Sequence, residues 1–561
     1  MLKNLKDTYL GNAKLKKAGV KQEFTPEQIQ EFVRCSQDPM YFIKKYVKIV
    51  DQNKGFVLVD PYPYQEKLVT QFNDNRFSIV LCSRRTGKTT AYIIFVLWFI
   101  LFNEHKNIYI LANRAKGARS ILSRVRDAYE ALPMWLQQGV MEWNKGSIEL
   151  ENGCKVVADS TSSSAARGEN IDVLILDEFA FVPNSMQDEF WRSVYPTITA
   201  GKSTKVIIVS TPNGLNMFYK LWEDAKAGRN SYVPFTVHWT EVPGRDEKWV
   251  KDTIANMGKA GFEQEYELDF IGASASTLIP SKSLRNLVYA TPLYSKECLD
   301  VYAEPLKEKE YLITVDVSRG EEKDFSAFVV FDITQMPYTI VAKYRNNKIS
   351  PMEYPSVIVN TARKYNEAML LVELNDTGGE VADIIKNDFE YDNMFTTMMD
   401  KKFGQPKLSI EHGKKFKLGV MTSRTVKNVG CANLKSMIEE NQLIVRDFDI
   451  ISELSTFKSR GSSFAAEKGA SDDLAMSLVL FSWLTGQKYF KELSKSSIRN
   501  VVKEKAEEEM IRPIVGDSEE NQVDVLEAGD LIIVSEATQN ADQWMEDAYS
   551  TALNNYHRFR N

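Results

Sequence analysis

At 561 residues the chain is too long for a single hydrophobic core, and its length corresponds to roughly three or four domains. With 43% apolar and 26% charged residues it has an ordinary globular composition, and its longest apolar run, Ala91 to Phe102, falls well short of the roughly 20 residues that span a bilayer. Five cysteines without CxxC spacing argue against a disulfide framework or a cysteine zinc site, four scattered histidines leave any metal to be a hard cation on carboxylates, and the net charge of −6 limits any nucleic-acid surface to a local patch.

The first residues carry charge but no apolar h-region, so no secretory signal is expected. Residues 1–60 are expected to form a helical N-terminal segment. Within it, Thr25-Pro26-Glu27-Gln28 has a cap residue, proline at the first helical position and glutamine at the third, the pattern of a capping box. Residues 61–271 alternate apolar strands with helices. FSIVLC, NIYILA, VDVLILDE and TKVIIVST are short buried-strand patterns ending in polar turns, as in a mainly parallel sheet.

Between the first of these strands and the stretch that reads as a helix, Thr90 to Phe102, lies SRRTGKTT, Ser83 to Thr90. A strand, a tight loop and Gly87-Lys88-Thr89 at a helix start make a phosphate cradle. Backbone N–H groups hold the β- and γ-phosphates, Lys88 adds a charge, and the Thr89 hydroxyl takes a place on Mg²⁺. Ser83, Arg84, Arg85, Thr86 and Thr90 complete the expected ATP-binding loop, although Cys82 stands where the usual motif has its first glycine. An arginine here, Arg84 or Arg85, would stabilise charge spreading onto the γ-phosphate. Tyr64 and Gln65, ahead of the loop, would read adenine by stacking and through the amide.

VLILDE ends in Asp177 and Glu178. In a P-loop ATPase the first acid serves the Mg²⁺ shell and the second orients and deprotonates the attacking water. KVIIVSTPNG places Ser210 and Thr211 at the end of a strand expected beside the P-loop strand, where hydroxyls would sense the γ-phosphate.

Residues 272–300, opening with GASASTLIPS, have the composition of a hinge or linker. A second strand-rich region, 301–495, places acids at element ends. Asp316 closes ITVD, Glu373 closes LLVE, and Asp472-Asp473 open an apolar helix. Carboxylates on adjacent strand ends plus one at a helix start make a ribonuclease-H-like site for two Mg²⁺, with Asp324 as a possible fourth ligand. Lys414, Lys415, Lys417, Arg424 and Lys427 form a basic stretch suited to a DNA backbone, contacted without sequence preference. The segment 496–561 is an acidic C-terminal tail with one apolar patch, Leu531 to Val534; from Val501 it carries 14 acidic against 5 basic residues.

Taken together, SRRTGKTT, EWNKGSIEL, the ARG before the Asp177 strand, STPNGLNMFY, VDVSRG, VELNDTG, the TSRT to NLK stretch and SDDLAMSLV, in this order, resemble the large terminase subunit of tailed bacteriophages, most closely that of large contractile-tailed phages. The resemblance runs from about residue 30 to 490. It implies an α/β chain in which a P-loop, RecA/ASCE-like ATPase domain with a mainly parallel sheet precedes a ribonuclease-H-like nuclease domain with a mixed sheet. It further implies ATP-driven translocation of double-stranded DNA through a portal into a procapsid, and cutting of concatemeric DNA at initiation and termination. By matching position it assigns Lys88 and Thr89 to phosphate and Mg²⁺, Asp177 and Glu178 to the Mg²⁺ acid and catalytic carboxylate, Arg84 to action in cis, Ser210-Thr211 to coupling, and Asp316, Glu373 and Asp473 to the nuclease triad. A missing first glycine is common in that family. The expected cofactors are ATP and Mg²⁺, with Mn²⁺ as a substitute at the nuclease site. The expected partners are DNA, the portal protein, the small terminase subunit and further copies in a pentameric ring, with no membrane, in the host cytoplasm and transiently on the procapsid.

Two other classes compete. A helicase or restriction translocase with a fused nuclease would need a second RecA-like lobe, and none is visible before the nuclease region. A nucleotide-switched binding protein would need neither Glu178 nor the later acids.

Overall fold

The computed structural model describes residues 7–51, 55–162, 169–271, 277–321, 324–399, 406–409, 417–461, 463–488 and 490. The acidic tail from 496, Lys414, Lys415 and the Ala166-Arg167-Gly168 stretch lie outside the described residues. Among the described residues no helix is long and apolar enough to cross a membrane.

The segment before residue 60 is only partly helical, which corrects the sequence expectation. Helices Pro26–Gln37 and Pro39–Tyr46 are flanked by two hairpins, Thr8–Tyr9 with Asn12–Lys16 and Lys48–Asp51 with Gly55–Leu58. The first hairpin turns at Leu10 and Gly11, both at positive φ, the geometry that matches the twist of paired strands. The second is built on the β-branched KIVD and on GFVL, whose strand preference outweighs helix propensity. The capping box forms as the sequence requires: Thr25 Oγ1 accepts from Gln28 N, and Gln28 Oε1 accepts from Thr25 N.

The first large sheet has eight strands: β1 (Phe77–Cys82), β2 (Asn107–Ala112), β3 (Val140–Trp143), β4 (Ser147–Leu150), β5 (Lys155–Ser160), β6 (Val173–Asp177), β7 (Lys205–Ser210) and β8 (Val233–Val237). Their order is β8-β1-β7-β6-β2-β5-β4-β3. The six strands from β8 to β5 are parallel, while β4 and β3 run antiparallel at one edge. β7 therefore lies between the P-loop strand β1 and the acid-bearing strand β6. Register brings their carboxyl ends level, since Leu81 pairs with Ser210 and Val209 with Asp177. β6 is buried along its whole length, as expected of a parallel strand covered on both faces.

The second sheet comprises β9 (Tyr294–Lys296), β10 (Leu299–Val301), β11 (Tyr311–Asp316), β12 (Ser326–Asp332), β13 (Tyr338–Asn346) and β14 (Met369–Val372), with β15 (Leu443–Ile444) paired to β13. The order is β9-β10-β13-β12-β11-β14. β11, β12 and β13 are antiparallel neighbours, and β14 joins β11 in parallel. The mixed sheet agrees with the ribonuclease-H-like expectation, and the parallel β11–β14 pair sets two acids side by side.

Each sheet is backed by one helix that is apolar all round and hence fully buried: Lys88–Phe102, buried from Ala91 to Leu101, and Asp473–Thr485, buried from Leu474 to Leu484. In both, the first residues are the polar ones. Each half thus presents polar residues at the N-terminus of a helix that cannot shift without disturbing its core.

The described part of the expected hinge, from Thr277, is not a free linker. Leu278, Ile279 and Leu284 are buried in the second core, Leu278 N donates to Phe457 O at 2.9 Å, and β9 and β10 extend the second sheet. The small polar residues that suggested a hinge, 272–276, lie outside the described residues; the apolar ones that follow bury themselves. The halves are also joined by Leu215, on the loop after β7, which is buried in the second half's core, while Tyr219 stacks on Phe448 at 6.5 Å.

Candidate active sites

The phosphate loop leaves β1 at Cys82, a buried residue whose thiol donates to Ser210 O at 3.4 Å and is pushed up to about 11 by burial. Cys82 thus ends the strand and ties it to its neighbour, which explains how the loop tolerates a side chain where glycine is usual. Gly87 has no such latitude. Its φ is +84°, and an added Cβ would stand 2.7 Å from Gln65 Nε2.

The loop is braced from outside. Ser83 N donates to Val237 O at 2.9 Å, Ser83 Oγ to Tyr266 O at 2.6 Å and Arg84 N to Glu265 O at 2.8 Å. Arg245 Nη2 donates to the carbonyls of Arg84 and Arg85 at 3.2 and 2.7 Å while its guanidinium stacks over Trp249. Tyr64 and Gln65 belong to this bracing, and the expectation that they read adenine is corrected. The Tyr64 ring is only 2% exposed and its hydroxyl donates to Thr86 O, while Gln65 Nε2 donates to Gly87 O at 3.0 Å and Gln65 Oε1 accepts from Tyr62 N. A buried ring and a doubly bonded amide have no face left for a base.

Lys88, Asp177 and Glu178 converge. Lys88 Nζ lies 3.5 Å from Glu178 Oε1, an ion-pair distance. Lys88 Nζ and Asp177 Oδ1 are buried without a hydrogen-bond partner. Burial lowers the Lys88 pKa, but Cys82, Asp177 and Glu178 outweigh it and hold the ammonium above its usual value. Burial raises Asp177, with Lys88 opposing. The buried Tyr92 hydroxyl faces both Asp177 and Thr89. Orphaned buried polar atoms are costly unless a ligand meets them, so this donor set fits a phosphate and a divalent cation. Arg84 pairs with Glu265 at 2.8 Å and is 59% exposed, Arg85 is exposed with φ +53°, and Thr90 Oγ1 accepts from Arg124 Nη2 at 3.0 Å.

Ser210 Oγ accepts from Ala180 N at 3.1 Å, directly behind Glu178, and Thr211 is buried. Sequence reasoning missed Gln187, Asn213, Asn216, Arg245 and Glu265, all of which act on loop backbones. NGLN after a strand carries only a turn signal, and a buried amide has no periodicity to betray it.

In the second half, Asp316 ends β11, Glu373 follows β14 with its N–H donating to Val315 O at 2.9 Å, and Asp473 opens the central helix, accepting from Phe325 N at 3.4 Å. Burial, then Glu373 and Asp473, hold Asp316 well above the carboxylate range, and its carboxyl donates to Glu373. Asp473 is pushed up to about 6 by burial, with Asp472 and Asp324 adding and Arg345 opposing. Burial raises all three acids, and Glu373 and Asp473 both add to the rise at Asp316, a concentration of negative charge that suits a hard cation. Gly378 lets the next helix start pass over Glu373, since a Cβ there would meet Glu373 O at 1.8 Å. Asp324 is exposed at the rim. Asp472, preceding the helix, pairs with Lys427 at 3.9 Å, so Lys427 sits among the acids, whereas Lys417 and Arg424 are exposed.

Asp300, Asp447 and Asp449 also cluster closely enough to hold an ion, but Lys343, 4% exposed, already lies 2.8, 3.3 and 2.6 Å from them. The Lys343 ammonium already lies against all three carboxylates of that cluster, where an ion would sit.

A P-loop ATPase-type fold and a ribonuclease-H-like fold, each with its acids at strand and helix ends, stand in series in this protein. The family model for the N-terminal part of the T4-like-virus-type terminase large subunit matches residues 79–286, and the terminase RNaseH-like domain model matches residues 313–481. The chain belongs to the terminase large subunit family. The terminase large subunit of Thermus virus P23-45 is 23% identical over 466 residues, covering 76% of this chain and 88% of that protein; the one from Thermus phage G20c is 22% identical with the same coverage. Among solved structures, the large terminase of bacteriophage HK97 is 12% identical, covers 80% of this chain and 99% of its own, and has a TM-score of 0.45.

Proposed function

We propose that this protein is the motor and cutting subunit of phage genome packaging. It hydrolyses ATP to move double-stranded DNA through the portal into the procapsid, and it cleaves concatemeric DNA at initiation and termination. The observation that carries this reading is the pair of buried orphan atoms, Lys88 Nζ and Asp177 Oδ1, beside Glu178.

In this reading Lys88 and the loop N–H groups bind the β- and γ-phosphates, Thr89 and Asp177 would hold Mg²⁺, and Glu178 accepts a proton from the attacking water. Arg84 acts in cis once it leaves Glu265, and Ser210-Thr211 link the site to its surroundings. In the second site Asp316, Glu373 and Asp473, with Asp324 at the rim, would hold the cations, Mg²⁺ or Mn²⁺. Bound divalent metal supplies charge for the phosphates and acidifies water. Lys417 and Arg424 contact the DNA backbone without reading its sequence. Family membership supports a portal, a small terminase subunit and a ring of five copies as partners, in the host cytoplasm and transiently on the procapsid.

The test is a packaging reaction with procapsids carrying a portal, linear double-stranded DNA and ATP. DNA should become nuclease-resistant with the native protein and not with Lys88→Ala. An active ATPase that protects no DNA under these conditions would overturn the motor assignment.

A further inference from the structure

Glu178 itself adopts a left-handed backbone, φ 52° and ψ 41°, at the point where β6 ends. A non-glycine residue holds that conformation only where its surroundings impose it. The surroundings here are four polar side chains gripping the next few peptide groups. Ser210 Oγ accepts from Ala180 N at 3.1 Å, and Asn216 Nδ2 and Asn213 Nδ2 donate to Ala180 O at 2.7 and 3.0 Å. Gln187 Nε2 donates to Phe179 O at 3.2 Å and to Val182 O at 2.6 Å.

Two of the four are almost wholly buried amides, Gln187 at 0% and Asn216 at 4% exposure. Both are also tied to the start of one helix. Gln187 Oε1 accepts from Met217 N at 3.2 Å, and Asn216 Oδ1 caps helix Met217–Lys226 by accepting from Tyr219 N at 3.3 Å. Both amides therefore have each end engaged, one end on the helix start and the other on the turn after Glu178. The hydrogen bonds of both amides go to these two elements and to Asn213 O rather than to Lys88 or the phosphate loop.

We infer that Asn216 and Gln187 are positioning residues that fix the backbone of the turn after Glu178 and thereby aim its carboxylate at the phosphate site. The inference rests on the reading of Glu178 as the base for water. A carboxylate that must lie within hydrogen-bond reach of one water molecule is sensitive to small changes in aim, and a misplacement of about 1 Å can cost on the order of 100-fold in rate. Substrate binding, which depends on Lys88 and the loop N–H groups, should be unaffected.

The test uses the full chain and two variants. Asn216→Ser keeps an oxygen to cap the helix but removes the donor to Ala180 O; Gln187→Met keeps length and removes the donors to Phe179 O and Val182 O. Expected for each is a kcat for ATP hydrolysis reduced on the order of 10- to 100-fold, with KM and the affinity for a non-hydrolysable ATP analogue unchanged. In a Glu178→Gln background either change should cause no further loss, because it acts through the carboxylate already removed. An unchanged kcat in folded variants, a rise in KM that accounts for the loss, or an equal additional loss in the Glu178→Gln background would overturn the inference. Should Glu178→Gln alone hydrolyse ATP at the native rate, it is the base assignment that fails; a dead Glu178→Gln beside fully active clamp variants rejects the clamp alone.

Discussion

Lys88 Nζ stands 3.5 Å from Glu178 Oε1, so the phosphate-loop ammonium and the carboxylate that follows β6 face each other across the same space. The pair keeps both charges compensated, and in the proposed function a triphosphate takes over the lysine. Replacing Glu178 by glutamine removes the proton acceptor but little volume. ATP hydrolysis should fall by about 100-fold or more while ATP still binds, measured by phosphate release alongside equilibrium nucleotide binding.

Asp316 feels both other acids of the second site, Glu373 and Asp473, which with burial hold its carboxyl well above the usual range. Asp316→Asn should reduce divalent-metal-dependent cleavage of plasmid DNA to background and leave ATP turnover within about twofold of native. Undiminished cutting by this variant would show that the second site lies elsewhere.

Asp473, at about 6 in the folded chain against an ordinary 3.8, binds its proton more tightly folded than unfolded. Its ionisation therefore weakens the fold progressively as pH rises from about 4 to 6, and the full cost remains above that range. In chelator-containing buffer Asp473→Asn should raise the melting temperature by a few degrees at pH 8 and leave it nearly unchanged at pH 4. Adding Mg²⁺ at pH 8 should stabilise the native protein more than the variant.

Thiol chemistry offers an independent check on the cores. Burial pushes Cys35 and Cys431 up to about 12 and Cys82 up to about 11, and raises Cys154; Cys298 alone is exposed. A thiol reagent added to the folded protein at neutral pH should modify one cysteine quickly, identified by peptide mapping as Cys298, and the other four only on unfolding. Rapid labelling of Cys82 would contradict the buried end of β1.

Much of this was legible in the sequence because the chemistry sits where patterns change. The P-loop lies where a strand pattern gives way to an apolar helix, and Asp177, Asp316 and Glu373 each close a hydrophobic run. That β1, β6 and β7 belong to a mainly parallel sheet followed from the same alternation. The signals that misled were local ones. Small polar residues suggested a linker through residue 300, but Leu278, Ile279 and Leu284 bury themselves in the second core. Tyr64 and Gln65 looked like base-binding residues, yet the fold turns them inward against Thr86 and Gly87. The clamp behind Glu178 was invisible because it joins side chains some thirty residues apart that meet only when β6 and β7 pair.

Leu215 is covalently part of the first half and physically part of the second half's interior. A chain cut near residue 272 would leave one fragment with a bare leucine facing water and the other with an unfilled socket. Each fragment would carry a defect made by the same scissors, and the two defects are complementary. Fragments mixed at high concentration should seek each other through that plug and socket before any DNA or nucleotide is added.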